Sequence, residues 1–303
     1  MKKRVLSVVL SAAMVASLMV GCGAAKEEAP AAEAAATEAA PAEEIKEEAP
    51  AEAATETPAA DTSVLGDDGK FTVGFDAEFP PYGYMDDNGE YVGFDLDLAQ
   101  AVCDNLGWEL VRQPIAWDAK DMELSTGAID CIWNGFTING REDAYTWSVP
   151  YIDNSQVFVV LSDSGIAAKS DLAGKNVGVQ KDSSALAALT DEENQENIDL
   201  AASFAGMTEY DDYNTGFMDL EAGAIDALAV DIGVAQYQLS SRGDKFVQLE
   251  EVLSTEQYGI GFLLGNTALK DVVEAELLKL NADGTVKKVA EQYGIDPTQI
   301  CLK

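Results

Sequence analysis

From residue 71 onward, short apolar runs alternate with longer apolar stripes. Phe71-Thr72-Val73-Gly74-Phe75 has the length and the β-branched, aromatic make-up of a strand. Residues 95–106 place Leu96, Leu98, Ala99, Val102, Cys103 and Leu106 on one side at helical spacing, which predicts a helix. Residues 109–114 predict a second strand, 119–125 a short helix and 128–133 a third strand. Strand, helix, strand, helix, strand is the signature of a mostly parallel α/β sheet.

The pattern then recurs. Val73-Gly74-Phe75-Asp76 is echoed by Val177-Gly178-Val179-Gln180. Leu124-Ser125-Thr126-Gly127-Ala128-Ile129-Asp130 is echoed by Leu220-Glu221-Ala222-Gly223-Ala224-Ile225-Asp226. In each copy a Gly follows a short helix, as a helix C-terminus prefers, and an apolar strand begins directly. Two matches in the same order predict two α/β lobes of one architecture. In open α/β sheets ligands lie beyond the carboxyl ends of the strands. Those ends are residues 76–82 and 134–141 in the first copy, and 180–184 with Asp231 in the second. Two such edges face to face make a cleft, a preferred place for a small molecule.

Composition narrows the chemistry. The 303 residues carry 19 Lys+Arg against 54 Asp+Glu and no His, a net charge of −35. Lacking His, the chain has no imidazole-based triad and no His-ligated metal. The acidic balance argues against a nucleic-acid partner, because no cationic surface is available to displace counterions. No cofactor motif is present. An acidic binder or a carboxylate- or lysine-based enzyme remains.

The N-terminus reads as an address. Lys2, Lys3 and Arg4 precede an apolar stretch, residues 5–20, too short for a bilayer span and suited to a signal peptide. It ends in Leu18-Met19-Val20-Gly21-Cys22, which resembles the bacterial lipoprotein signal. That resemblance implies a lipidated (palmitate-bearing) Cys22 at the mature N-terminus; the other reading is an ordinary signal peptide beside a stray Cys. Residues 23–62 are Ala- and Glu-rich, interrupted by Pro30, Pro41, Pro50 and Pro58, with Ile45 as the lone large aliphatic. Such a stretch cannot bury a core and is expected to be a disordered tether, reaching roughly 35 Å as a flexible coil. Cys103, Cys131 and Cys301 lack metal spacing. Cys103 and Cys131 lie in apolar patterns and read as buried hydrophobes, with a disulfide between them as the alternative.

At the predicted strand ends, Arg141 follows Thr137 in Phe136-Thr137-Ile138-Asn139-Gly140-Arg141. A guanidinium beside hydroxyl and backbone donors suits a carboxylate; pairing with Glu142 or Asp143 at the surface is the bland alternative. Ser183 and Ser184 precede an Ala/Leu-rich helix and read either as an N-cap or as an anion site. Asp231 opens a helix, as a cap or as an acceptor for an ammonium group. Phe79, Tyr82 and Trp117 flank the first lobe's strand ends, where aromatics are either core or walls for an apolar stem. An α-amino acid matches this inventory.

These residues resemble a known family. The run Gly93-Phe94-Asp95-Leu96-Asp97-Leu98-Ala99-Gln100-Ala101-Val102-Cys103-Asp104-Asn105-Leu106 is similar to the signature of the family 3 bacterial extracellular solute-binding proteins, receptors of polar amino acid ABC importers. Asp76-Ala77-Glu78-Phe79-Pro80-Pro81-Tyr82, Trp117-Asp118, the loop 137–141, the segment 171–179 and Asp283-Gly284-Thr285 extend the likeness over residues 64 to 295. The resemblance implies a type II periplasmic-binding fold. It implies that Arg141 grips the ligand's α-carboxylate with Thr137, Ser183 and Ser184. Asp231 takes the ammonium with backbone near Asn134 or Gly135, Phe79 and Trp117 stack on the ligand, Asp76 reads its side chain, and Gln180 borders the site. Two departures stand out. The loop between Thr137 and Arg141 is one residue short, and Asp182 stands where Gly is common. The Asp182 carboxylate must then either point away or favour a cationic ligand.

The expected organisation is a signal peptide (1–22), tether (23–62), first lobe (63–153 plus 254–303) and second lobe (154–253), with hinge crossings near Asp153 and Ser254. The resemblance implies a non-enzymatic, monomeric lipoprotein on the extracytoplasmic face of the cell membrane, partnered by an ABC permease and its ATPase. A dehydratase on the same fold, with Glu78, Asp76 or Lys181 as its acid or base, is the enzymatic alternative. An amino acid sensor subunit is the third.

Overall fold

In the strand Lys70–Phe75, Phe71, Val73 and Phe75 are buried on one face. This strand is the second in a sheet ordered Glu109–Pro114, Lys70–Phe75, Cys131–Ile132, Gly261–Phe262, Thr146–Trp147. The first three strands run parallel, and Gly261–Phe262 pairs antiparallel with both Cys131–Ile132 and Thr146–Trp147. The structure is a computed structural model and describes residues 62–66 and 68–303. Cys22 and the expected signal peptide and tether lie outside the described residues, apart from Thr62.

The predicted helix is present as Phe94–Leu106, burying Leu96, Leu98, Ala99, Val102 and Cys103 against the sheet. Helices Thr267–Ala282 and Thr285–Gln292 pack beside it. Asn105 donates to Glu276 (2.7 Å) and the Tyr293 hydroxyl to Asp97 (2.8 Å), tying residues far apart in sequence into one lobe. The third predicted strand is shorter than expected. Only Cys131–Ile132 pair, because the amides of Ala128 and Ile129 turn back to the Glu123 carbonyl. Cys103 and Cys131 are buried free thiols.

The second sheet runs Gly206–Tyr210, Asn176–Gln180, Ala227–Asp231, Ile152–Leu161, Phe246–Gln248. Its first three strands are again parallel. The fully buried Val177, Val179 and residues 227–230 make its strands apolar on both faces, as a covered parallel sheet requires. The ten-residue strand Ile152–Leu161 also pairs antiparallel with Ser254–Tyr258, in the register Asn154 to Glu256. This pairing adds Ser254–Tyr258 to the second sheet. Within the lobes the polypeptide alternates strand and helix, giving mixed α/β architecture on both sides of a cleft.

Candidate functional site

The cleft closes on a pocket with an empty volume of about 280 Å³. Asp76, Phe79, Trp117, Asn134, Gly135 and Thr137 line it from the first lobe, and Gln180, Ser183, Ser184 and Asp231 from the second. Gln180 and Asp231 are the last residues of parallel strands, and the other lining residues lie in the segments that follow such strands. Gly135 sits at φ +56, and a Cβ there would lie 2.8 Å from the Phe79 ring and 3.0 Å from that of Tyr258. Only glycine lets the chain turn between those two rings.

Arg141 does not line the pocket; it stands beside it as a clasp. Its guanidinium donates to Ser184 Oγ (3.1 Å), to the Asp182 carbonyl (3.1 Å) and to the Thr137 carbonyl (3.3 Å), and lies 5.3 Å from the centre of the Phe136 ring. It makes no ion pair with Glu142 or Asp143 among the described residues, so the surface alternative fails. Ser183 caps the helix Ser184–Thr190 by accepting from Leu186 N–H, and Ser184 serves Arg141. Ser183 thus takes the N-cap role, and the Ser184 hydroxyl accepts from Arg141 at the pocket wall.

Asp231 precedes the helix Ile232–Arg242 but its side chain makes no cap bond. It turns inward. Its Oδ1 accepts from Asn154 (2.8 Å), Gln156 (2.6 Å) and the Tyr258 hydroxyl (2.6 Å), and its Oδ2 from the Tyr213 hydroxyl (3.3 Å). Burial pushes its carboxyl upward, opposed by those donors. Asp76 accepts from Gln180 across the cleft (2.7 Å) and from the Glu78 amide (2.9 Å), while its own amide donates to Asn134 Oδ1. Burial raises Asp76 to about 6, with the charges of Asp212 and Glu78 adding to the effect. Phe79 packs 5.9 Å from Tyr213, and the Trp117 indole donates to the Asp182 carbonyl (3.2 Å), so both rings touch the second lobe.

The carboxylate of Asp182 points away from the pocket and pairs with Lys120. Of the two fates the sequence allowed it, the first is observed. Sequence reasoning missed Lys120, and it missed Asp95, whose Oδ2 accepts from Gly135 N–H (2.5 Å) and the Tyr151 hydroxyl (2.8 Å) under the pocket floor. It also missed Glu256, Asn154 and Gln156. The available signal was period-two spacing of polar residues in two strands, Asn154 and Gln156 on one and Glu256 with Tyr258 on the other.

Two α/β lobes closed over a pocket lined by carboxylate, hydroxyl, amide and aromatic side chains define a small-solute receptor of the type II periplasmic-binding class. Residues 71–296 match the family described as bacterial extracellular solute-binding proteins, family 3, and the chain belongs to it. An L-cystine-binding protein of Escherichia coli (strain K12) is 30% identical over 76% of this chain and 85% of its own length. ABC transporter arginine-binding protein 1 of the same organism is 28% identical over 74% of this chain and 90% of its own. A substrate-binding protein of an ABC uptake transporter from Streptococcus pneumoniae, solved with bound histidine, superposes with a TM-score of 0.72. It is 32% identical and covers 78% of this chain and 97% of that one. These relatives are solute-binding proteins of ABC transporters, and a substrate-binding role is the function this chain shares with them.

Proposed function

We propose that the protein captures an α-amino acid with a polar or cationic side chain and delivers it to an ABC permease and its ATPase. Arg141, with Thr137 and Ser184, takes the α-carboxylate. Asp231 takes the α-ammonium. Phe79 and Trp117 sandwich the stem, and Asp76 faces the side chain. The observation that carries this reading is one closed pocket lined by two buried carboxylates, Asp76 and Asp231, that no cation neutralises among the described residues, with the Arg141 guanidinium beside it on Ser184. The arginine-, histidine- and cystine-binding relatives support a polar ligand. The strands Ile152–Leu161 and Ser254–Tyr258 are the hinge, separating residues 63–153 plus 254–303 from 154–253, and closure strengthens the ligand's charge pairing by excluding water.

We read the cleft as non-catalytic. Both Asp76 oxygens are engaged, and Lys181 is turned to Asp211. The N-terminal residues support a lipoprotein held at the extracytoplasmic face of the membrane through Cys22. A thermal-shift screen of the twenty amino acids, ornithine and cystine tests the binding role. A ligand at a hundredfold excess over its Kd stabilises the fold by about 2.7 kcal/mol, a clear rise in midpoint. A flat response to every compound overturns the proposal.

A further inference from the structure

Glu256 has no part in the ligand contacts described so far, yet it is bound into their support. Its Oε1 accepts from Thr137 Oγ1 (2.8 Å), Asn154 Nδ2 (2.7 Å) and Gln156 Nε2 (2.8 Å). The same two amide nitrogens donate to Asp231 Oδ1 at 2.8 and 2.6 Å. A primary amide has two N–H bonds, so each amide directs one to each carboxylate. Two buried acids are therefore bridged side by side, and no Lys or Arg among the described residues bonds to either.

The surroundings leave the pair uncompensated. Tyr258 from its own strand, Tyr213 from the helix Tyr213–Glu221 and Tyr82 from the first lobe are its titratable neighbours, all held neutral by burial. Arg141, on the loop of Thr137, bonds the Thr137 carbonyl and not the carboxylates. Asp153 points to the opposite face of its strand and bonds Gln257. Asp95 lies beyond Tyr82 and is raised to about 7 by burial. Two adjacent buried carboxylates do not both ionise readily without a cation.

We propose that Glu256 is a positioning residue of the ligand site: in the empty cleft it and Asp231 share one proton, which leaves when a ligand ammonium seats on Asp231. This rests on the assignment of Asp231 to the ammonium. The Glu256 carboxyl O–H breaks, its electron pair stays on the carboxylate, and the proton passes to water in the crevice that Glu256 lines with Asn139 and Thr255. The cluster holds one net negative charge before and after, because the ammonium replaces the proton. The freed carboxylate then keeps Thr137, Asn154 and Gln156 oriented around the ligand.

Burial, reinforced by the Asp231 charge, raises Glu256 to about 7, so the proton is about half present at neutrality. The sign follows. Above that value the proton is already gone and affinity is flat with pH. Below it the ligand must displace the proton, and affinity falls by about tenfold between pH 8 and pH 6.

The test uses the full chain labelled with carbon-13 at glutamate carboxyls, which leaves Asp76 silent. The empty protein is expected to show one glutamate titrating near 7, absent from E256Q; a Glu256 midpoint in the ordinary carboxylate range overturns the proposal without recourse to any ligand or variant stability. Calorimetry at pH 7 in phosphate and in Tris, with L-arginine and L-glutamine as probes, then counts protons. Wild-type protein is expected to release about half a proton per ligand and E256Q almost none. Equal release from both overturns the proposal and leaves the amino acid reading standing. Failure of every compound in the thermal screen removes both.

Discussion

In the first lobe, the Thr72 amide donates to the Asp130 carboxylate (2.7 Å) and the Asp130 amide returns to the Thr72 carbonyl (2.8 Å). In the second, Asn176 and Asp226 repeat the exchange at 2.8 and 2.8 Å. Val73 pairs with Cys131 as Val177 pairs with Ala227. Gly127 and Gly223 turn at φ +74 and +72 after equivalent short helices. The frame is thus repeated at the level of single hydrogen bonds. The strand ends are not: one copy finishes in Asp76 and the Asn134–Arg141 loop, the other in Gln180 and the buried Asp231. Positions that set backbone path are shared between the lobes, and positions that line the cleft are where they part.

The largest expected effect strikes the unshared part. Arg141→Ala removes the clasp to Ser184 and the Asp182 carbonyl while leaving both sheets intact. Amino acid binding by calorimetry is expected to weaken at least a hundredfold, about 3 kcal/mol, with unfolding midpoint nearly unchanged. Affinity within tenfold of wild type would mean that another group holds the carboxylate.

The shared frame is expected to answer to stability instead. A Cβ on Gly74 would fall 2.4 Å from Ile129 Cδ1, and one on Gly178 2.6 Å from Ile225 Cδ1. Gly74→Ala and Gly178→Ala should each cost about 1–3 kcal/mol through overpacking, read by urea unfolding. Gly178→Ala should cost more, since Tyr210 (2.8 Å) and Leu228 (3.0 Å) crowd that site as well. Loss at one glycine only would break the equivalence of the lobes.

The same division explains what the sequence disclosed. Helix Phe94–Leu106 and strand Lys70–Phe75 are written in local periodicity, and the internal echo placed the second sheet. Cleft residues such as Asp76, Thr137, Ser184 and Asp231 were legible because they end strands or lie within a few residues of strand ends. Glu256 and Lys120 were not. Their partners lie far along the chain, and nothing local separates a buried lysine in Lys120–Ser125 from a solvated one. Only the packing of Trp117 and the closed cleft bury it. The length of the 128–133 strand was overread because apolar composition does not reveal that Ala128 and Ile129 finish a turn.

The smallest expected effect tests whether the two lobes hold each other beyond the ligand. Lys120 Nζ pairs with Asp182 across the cleft and lies 5.0 Å from the centre of the Trp117 ring. Its side chain is 2% exposed, whereas that of Asp182 is 52% exposed. Asp182 holds φ +54, a left-handed conformation that costs a non-glycine residue about 1 kcal/mol, while its carbonyl receives Trp117 and Arg141. Lys120→Met keeps the apolar stem and removes the charge; water can then solvate the Asp182 carboxylate. Because the pair is half exposed, its loss should weaken ligand binding by only about 0.5–1 kcal/mol, a few-fold in Kd. Asp182→Gly relieves the backbone but strands a buried ammonium, so alone it should cost more than Lys120→Met. Made together, the two substitutions should cost less than their sum by about that coupling energy. Strict additivity of the two would show that Lys120 and Asp182 act independently, and that closure rests on Arg141, Trp117 and Gln180 without them.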